Sequence, residues 1–281
     1  IPDARAAAIL LEISNPEVNM DAVKLEKVPK IAVYSPKSAQ PWDDAVTLVL
    51  SYAEIPYEVI YDDEIVHGEL HLYDWLHLHH EDFTGQYGKF YGSYRNAKWY
   101  RDQVEEFEAT ANRLGYSKVS ELKLAVALKI KEYTAGGGFL FSMCSGTDSY
   151  DIAISSEGID ICERMFDGDP ADPSAPNKID FSRGFAFENY DLSMNPREYE
   201  FSNIDGTPLH SRAGQKQDFF TLFEFSAKWD PVPTMLCQNH ESIIHGFMGQ
   251  TTSYNLKYIK PEVLVLADSK GIGTARYIHG E

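Results

Sequence analysis

The stretch Gly136-Gly137-Gly138-Phe139-Leu140-Phe141-Ser142-Met143-Cys144-Ser145-Gly146-Thr147-Asp148 constrains the fold of this chain more than any other. A glycine turn leads into an apolar run of about five residues, which ends at a cysteine followed by small residues. The pattern predicts strand, sharp turn and helix, with Cys144 at the turn and with Ser145 and Gly146 small enough to let the chain fold back. A helix starting there aims its first free N–H groups and the positive end of its dipole at the sulfur, which favours thiolate. Cys144 is therefore the candidate nucleophile. The plainer alternative is a buried core cysteine, a common fate of free thiols.

The elements before this turn predict the sheet that carries it. Lys30-Ile31-Ala32-Val33-Tyr34 reads as a short buried strand, followed by a loop holding Pro41-Trp42-Asp43-Asp44 and a nearly continuous apolar helix from Ala45 to Ala53. Further strands are predicted at Tyr57–Tyr61 and Trp75–Leu78, and helices over 101–114, 122–133 and, after Cys144, 148–156. This order predicts an α/β fold, a three-layer sandwich with a mostly parallel central sheet. Ligands of such sheets gather beyond the carboxyl ends of the strands, so loops 35–44, 79–88 and 144–148 are expected at one edge. Residues 1–29 read as an N-terminal arm and 30–281 as a single domain with an irregular insertion over 160–230, where Asp167-Gly168-Asp169-Pro170-Ala171-Asp172-Pro173 cannot form a regular element. Residues 219–225 read as a strand or buried helix, and the apolar runs 262–267 and 275–279 as late strands of the same sheet.

The Cys144 segment resembles the nucleophile turn of the class I glutamine amidotransferase-like superfamily, which holds hydrolytic amidotransferase domains, cysteine peptidases and non-catalytic relatives. Together with Lys30–Tyr34, Gln40-Pro41-Trp42-Asp43-Asp44-Ala45-Val46 and the run from Asp74 to Gly88, it is similar over most of 30–281 to a group of bacterial proteins often labelled asparagine synthetase B. The chain carries neither an amino-terminal cysteine glutaminase nor an ATP-pyrophosphatase loop, so the resemblance implies a flavodoxin-like topology rather than a synthetase. It also implies a histidine and an acid late in the chain. His240-Glu241 matches in order, but as an adjacent pair rather than the usual His-x-Glu. The related proteins continue beyond the position of Glu281 with a glycine-histidine segment, which implies that a last strand is missing here.

A cysteine nucleophile needs a base in hydrogen-bond reach and a group that orients the base. The candidates are His240, His245, His79 and His80 as bases, with Glu241, Glu81 and Asp82 as carboxylates. Trp42, Asp43, Asp82, Tyr87, Ser145 and Gly146 are candidate substrate-binding residues on the same loops, with Phe90, Tyr91 and Tyr94 as further lining. Where glutamine-hydrolysing members place oxyanion-hole glycines, this chain has His79-His80-Glu81-Asp82. The cluster His77-x-His79-His80-Glu81-Asp82, with His67 or His71, is also a candidate site for a divalent metal, although no His-Glu-x-x-His signature accompanies it. The Asp167-x-Asp169-x-x-Asp172 spacing is not that of an EF-hand, Cys237-x-x-His240 has no second pair, and Gly271-Ile272-Gly273 is too short for a phosphate loop. No resident cofactor is expected.

Composition narrows the remaining classes. A formal charge of -18 argues against nucleic acid or an anionic membrane as partner, because no basic surface is available to neutralise phosphates. Three cysteines do not make a disulfide framework, and no apolar run reaches the length of a membrane span. The expected reading is a cysteine-dependent hydrolase or transferase acting on an amide or peptide-like bond of a small-molecule or peptide-like substrate. The alternatives are a non-catalytic binding module on the same fold and a metal-dependent hydrolase using the histidine cluster. The first residue, Ile1, is compatible with a bacterial cytoplasmic chain or, after removal of a signal peptide, a periplasmic or secreted one.

Overall fold

The computed structural model describes residues 28–36, 45–206, 219–222, 243–245, 254–269 and 274–279. β1 (Ile31–Tyr34) is buried at all four positions, as a short apolar run must be when a parallel sheet is covered on both faces. Helix α1 (Ala45–Tyr52) leads to β2 (Tyr57–Ile60), which is followed by the short α2 (Asp62–Val66) and by β3 (Trp75–Leu78). After α3 (Tyr91–Tyr94), the long helices α4 (Lys98–Arg113) and α5 (Val119–Ala135) cross to β4 (Phe139–Ser142), and α6 (Ser145–Ser155) follows directly. The four strands pair in the order β2-β1-β3-β4, every pair parallel. The fold is thus mixed α/β, a four-stranded parallel sheet flanked by helices.

The register decides where chemistry can sit. Tyr34 pairs with Ile60 and Leu78, and Leu78 with Ser142, so all four strands end level. The segments after β1, β3 and β4 therefore leave from one edge, as the sequence predicts for 79–88 and 144–148; residues 37–44 lie outside the described residues. β2 and β4 are the outer strands, and their patterns show it, with Glu58, Val59 and Phe139 exposed.

The late strands depart from expectation. β5 (Phe219–Leu222), β6 (Ile243–His245), β7 (Tyr254–Asn255), β8 (Leu264–Ser269) and β9 (Thr274–His279) do not extend the parallel sheet but form a second, antiparallel one in the order β6-β5-β8-β9-β7. An apolar run specifies a strand but not its partner, and β8 and β9 are close enough in sequence to pair with each other as a hairpin. Between the two sheets, 156–206 is largely irregular, with α7 (Arg164–Asp167) as its one short α-helix. It is anchored by Asp151 of α6, whose buried carboxylate accepts the backbone N–H groups of Phe185, Ala186 and Phe187. No helix among the described residues is long and apolar enough to cross a membrane.

Helix α4 stops where the sequence says it should. Gly115, at φ +88°, and Tyr116 return their N–H groups to Asn112 and Ala111, the paired bonds of a Schellman motif. Helix α5 then buries Val119, Leu122, Lys123, Val126, Ala127 and Ile130, a stripe at helical spacing with one charge in it. The Lys123 ammonium, in a residue only 1% exposed, lies 3.0 Å from both oxygens of Asp62 and donates to the hydroxyls of Tyr34 at 2.9 Å and Tyr61 at 3.0 Å. It also sits 4.3 Å from the Tyr61 ring centroid, a cation–π contact. Tyr34 donates to the same aspartate. Each polar atom of the pair is thereby satisfied, the condition on which a buried ion pair is tolerated. Asp62→Ala, which leaves the ammonium without a counter-charge, is expected to cost about 3–5 kcal/mol. The loss reads as a lower urea midpoint, and adding Lys123→Met recovers most of it.

Candidate active site at the Cys144 turn

Strand β4 ends as Met143 N–H donates to the Leu78 carbonyl at 3.0 Å, carrying the pairing with β3 one residue beyond the strands. The next residue, Cys144, has φ 50° and ψ -140° and is exposed. A non-glycine residue in this region is strained and persists only where its surroundings hold it. Here the turn is closed by Gly146 N–H donating to Met143 O at 3.0 Å and Thr147 N–H to Cys144 O at 3.1 Å. Ser145 Oγ donates to the His80 carbonyl at 3.0 Å, and Thr147 Oγ1 to Ser142 Oγ, also at 3.0 Å. A Cβ at Gly146 would lie 2.6 Å from the His79 carbonyl oxygen, so only glycine permits this approach of α6 to the end of β3. The result is a thiol lifted out of the strand at the N-terminus of an eleven-residue helix.

The histidine cluster divides. His77, within β3, is fully buried with its ring beside Phe141, and so leaves the surface constellation. His79 and His80 emerge beyond the strand and meet each other, His80 Nδ1 and His79 Nε2 being 2.9 Å apart. Their backbone carbonyls are the ones that hold Ser145 and crowd Gly146, which places this pair on the segment packed against the nucleophile turn. His67 and His71 bond carbonyls of their own local turns, those of Asp63 and Gly68. The candidate metal cluster of His77 to Asp82 does not bring its ligand atoms together; among the described residues, the carboxylate and thiol atoms that do converge belong to Asp160, Cys162 and Asp167.

Glu81 and Asp82 turn to structural tasks. Glu81 accepts from Tyr61 Oη at 3.1 Å, which joins it to the Lys123 network below the loop. Burial pushes its carboxyl up from 4.5 to about 7 against the opposing pull of Lys123. Asp82 receives Thr84 N–H and Oγ1–H on one oxygen and Gln86 N–H and Gly88 N–H on the other, at 2.6 to 2.9 Å. This carboxylate organises the loop that carries positive φ at Gly85, Tyr87, Gly88 and Lys89. Tyr87, read from sequence as substrate-binding, is 3% exposed and packs against Phe107, Tyr100 and Phe166. Trp42, Asp43, His240 and Glu241 lie outside the described residues.

Sequence reasoning missed the carboxylates on the other side of the turn. Asp148, in the first turn of α6, is buried, and its carboxyl is raised by burial and by the charges of Asp205 and Glu200. Glu200 is itself pushed up to about 7, by burial first and Asp205 second. Tyr254 packs close enough to feel Asp148, Asp205 and Cys144. The residues come from three distant segments, and only Asp148 stands in a stretch that the sequence singles out.

No protein-family model matches this chain, and no curated protein is significantly similar to it.

The raised carboxyls set a pH dependence. Glu81 and Glu200 bind a proton more tightly folded than unfolded, so their contribution is complete below pH 4.5 and is lost as pH rises through about 7. Asp172, held down to about 2 by Lys178 and Ser174, acts in the opposite sense and loses its contribution only on acidification below 3.8. Urea midpoints are expected to fall between pH 5 and 7, and Glu81→Gln, which keeps an acceptor for Tyr61, flattens part of that fall. Gly146→Ala is expected to destabilise by about 1–3 kcal/mol through the clash with His79, with thermal melting as the measure.

Proposed function

We propose that the protein is a cysteine-dependent hydrolase or transferase of the class I glutamine amidotransferase-like kind, acting on an amide or peptide-like bond. The observation that supports this reading is the backbone of Cys144, a strained cysteine with positive φ between the end of the outer parallel strand β4 and the N-terminus of helix α6. A buried packing cysteine needs neither exposure nor strain, whereas a nucleophile needs both presentation and a nearby dipole. In the proposed reaction the Cys144 thiolate attacks the carbonyl, forms an acyl-enzyme and releases the amine. Water or a second acceptor then takes the acyl group. The Ser145 N–H, first of the helix, is the backbone donor placed to receive the developing oxyanion. His79 or His80 supplies the base from the adjoining segment, or His240 with Glu241 does so from the late segment.

One observation favours the non-catalytic alternative: the imidazoles of His79 and His80 hydrogen-bond each other. The two readings separate in one experiment. A panel of amide, ester and peptide substrates is screened with the wild-type chain and with Cys144→Ala, while an iodoacetamide probe reports thiol reactivity. The enzyme reading expects turnover that falls by about a thousandfold or more in the variant, and labelling of Cys144 faster than that of free cysteine. Turnover unchanged in Cys144→Ala removes the nucleophile from the mechanism.

A further inference from the structure

A second cluster of reactive groups lies where the irregular segment after α6 packs on the start of α5. Asp160, Cys162 and Asp167 each offer one ligand atom, and these atoms all lie within 4.8 Å of one another. The Asp167 side chain is only 2% exposed. Its carboxylate is held by an ion pair, Lys118 Nζ lying 3.0 Å from Oδ2, and Oδ1 has no hydrogen-bond partner among the described residues. Asp167 lines a cavity of about 200 Å³ together with Tyr87, whose buried hydroxyl also has no hydrogen-bond partner among the described residues. Cys162 is 1% exposed, and its Sγ–H donates to the Thr84 carbonyl at 3.2 Å.

Charge is out of balance here. Among the described residues, Lys118 is the single ammonium facing three carboxylates, those of Asp160 at 3.6 Å, Asp167 at 3.0 Å and Asp169 closest of all. Asp169 is the most exposed of the three, so the ammonium can withdraw toward it without losing its ion pair. The two inner carboxylates and the sulfur would then face a common point. One thiolate and two carboxylates suit a borderline-soft divalent ion, whereas calcium or magnesium would not select a sulfur ligand.

We propose that Asp160, Cys162 and Asp167 form a binding site for a divalent transition metal of the zinc type, in which Lys118 holds the place of the cation until the metal arrives. Binding releases the Cys162 thiol proton to solvent and forms one metal–sulfur and two metal–oxygen bonds, with the Thr84 carbonyl beside the sulfur as a neutral oxygen donor. Tetrahedral coordination brings ligand atoms to about 3.5 Å separation, so the cluster needs only a small contraction. Because Thr84 belongs to the loop organised by Asp82, the metal would tie that loop to the 160–167 segment. This site shares no ligand with the Cys144 turn.

The test is a Co²⁺ titration of the full chain carrying Cys144→Ser and Cys237→Ser, so that Cys162 is the only thiol present. A thiolate-to-cobalt charge-transfer band that saturates at one equivalent is expected. Asp167→Asn should weaken Co²⁺ binding by about tenfold or more, the loss seen even for outer partners of metal sites. Lys118→Gln should tighten it by roughly tenfold by removing a competing charge, a gain that misfolding cannot mimic. Absence of the band at saturating Co²⁺, unchanged affinity in Asp167→Asn, or no gain in Lys118→Gln each overturns the proposal.

Discussion

One buried ammonium ties together the elements beneath the candidate active site. Lys123 of α5 reaches Asp62 at the start of α2, Tyr34 at the end of β1 and Tyr61 just after β2. A lysine costs several kcal/mol to bury unless its charge is neutralised and its protons are placed. Hydrophobic packing alone would leave α5 free to slide along the sheet by a residue or rotate slightly. An ammonium that must meet one carboxylate and two hydroxyls does not allow this. The same network extends through Tyr61 to Glu81, whose backbone carbonyl receives Ser149 Oγ of α6. Position is thus transmitted from the interior to the loop that flanks Cys144.

At the edge of the sheet the constraint changes from charge to contact. Four parallel strands end in register, and the chain after β3 and the chain after β4 must share the space above neighbouring ends. They do so because Gly146 has no Cβ to meet the His79 carbonyl and because Ser145 and Ser149 bond the carbonyls of His80 and Glu81. Cys144 absorbs the remaining strain in its own backbone. A residue forced into that conformation at a sheet edge and helix N-terminus is difficult to account for as packing, which is why the turn, more than any histidine near it, supports the catalytic reading.

Burial raises several carboxyls in the segments around the turn, Asp148 above its ordinary range and Glu81 and Glu200 to about 7, so that bound protons rather than counter-ions spare these groups the cost of burying a charge. Lys118 shows the other solution, an ammonium placed among several carboxylates and partly sheltered from water.

Much of the frame was legible in the sequence because short-range physics decides it. Four apolar runs of strand length and the glycine-strand-cysteine turn depend on neighbours within a few residues, and β1 to β4 and α4 to α6 lie close to where the sequence pattern places them. Lys123 could have been noticed as a charge inside an apolar stripe, although nothing local names Asp62 as its partner. Which strands join which sheet, and which polar groups meet, depended on tertiary structure. The runs ending in β8 and β9 read as strands equally well in either sheet, and only long-range pairing placed them in an antiparallel one. His77 and His79 are two residues apart, yet one is sealed in the core and the other reaches the surface, because β3 ends between them. Asp160 and Cys162 meet Asp167 and Lys118 by the packing of an irregular segment that has no period to read. The sequence by itself determined the turn that presents Cys144; the tertiary structure decided which charges surround it, since charge acts through space and not along the chain.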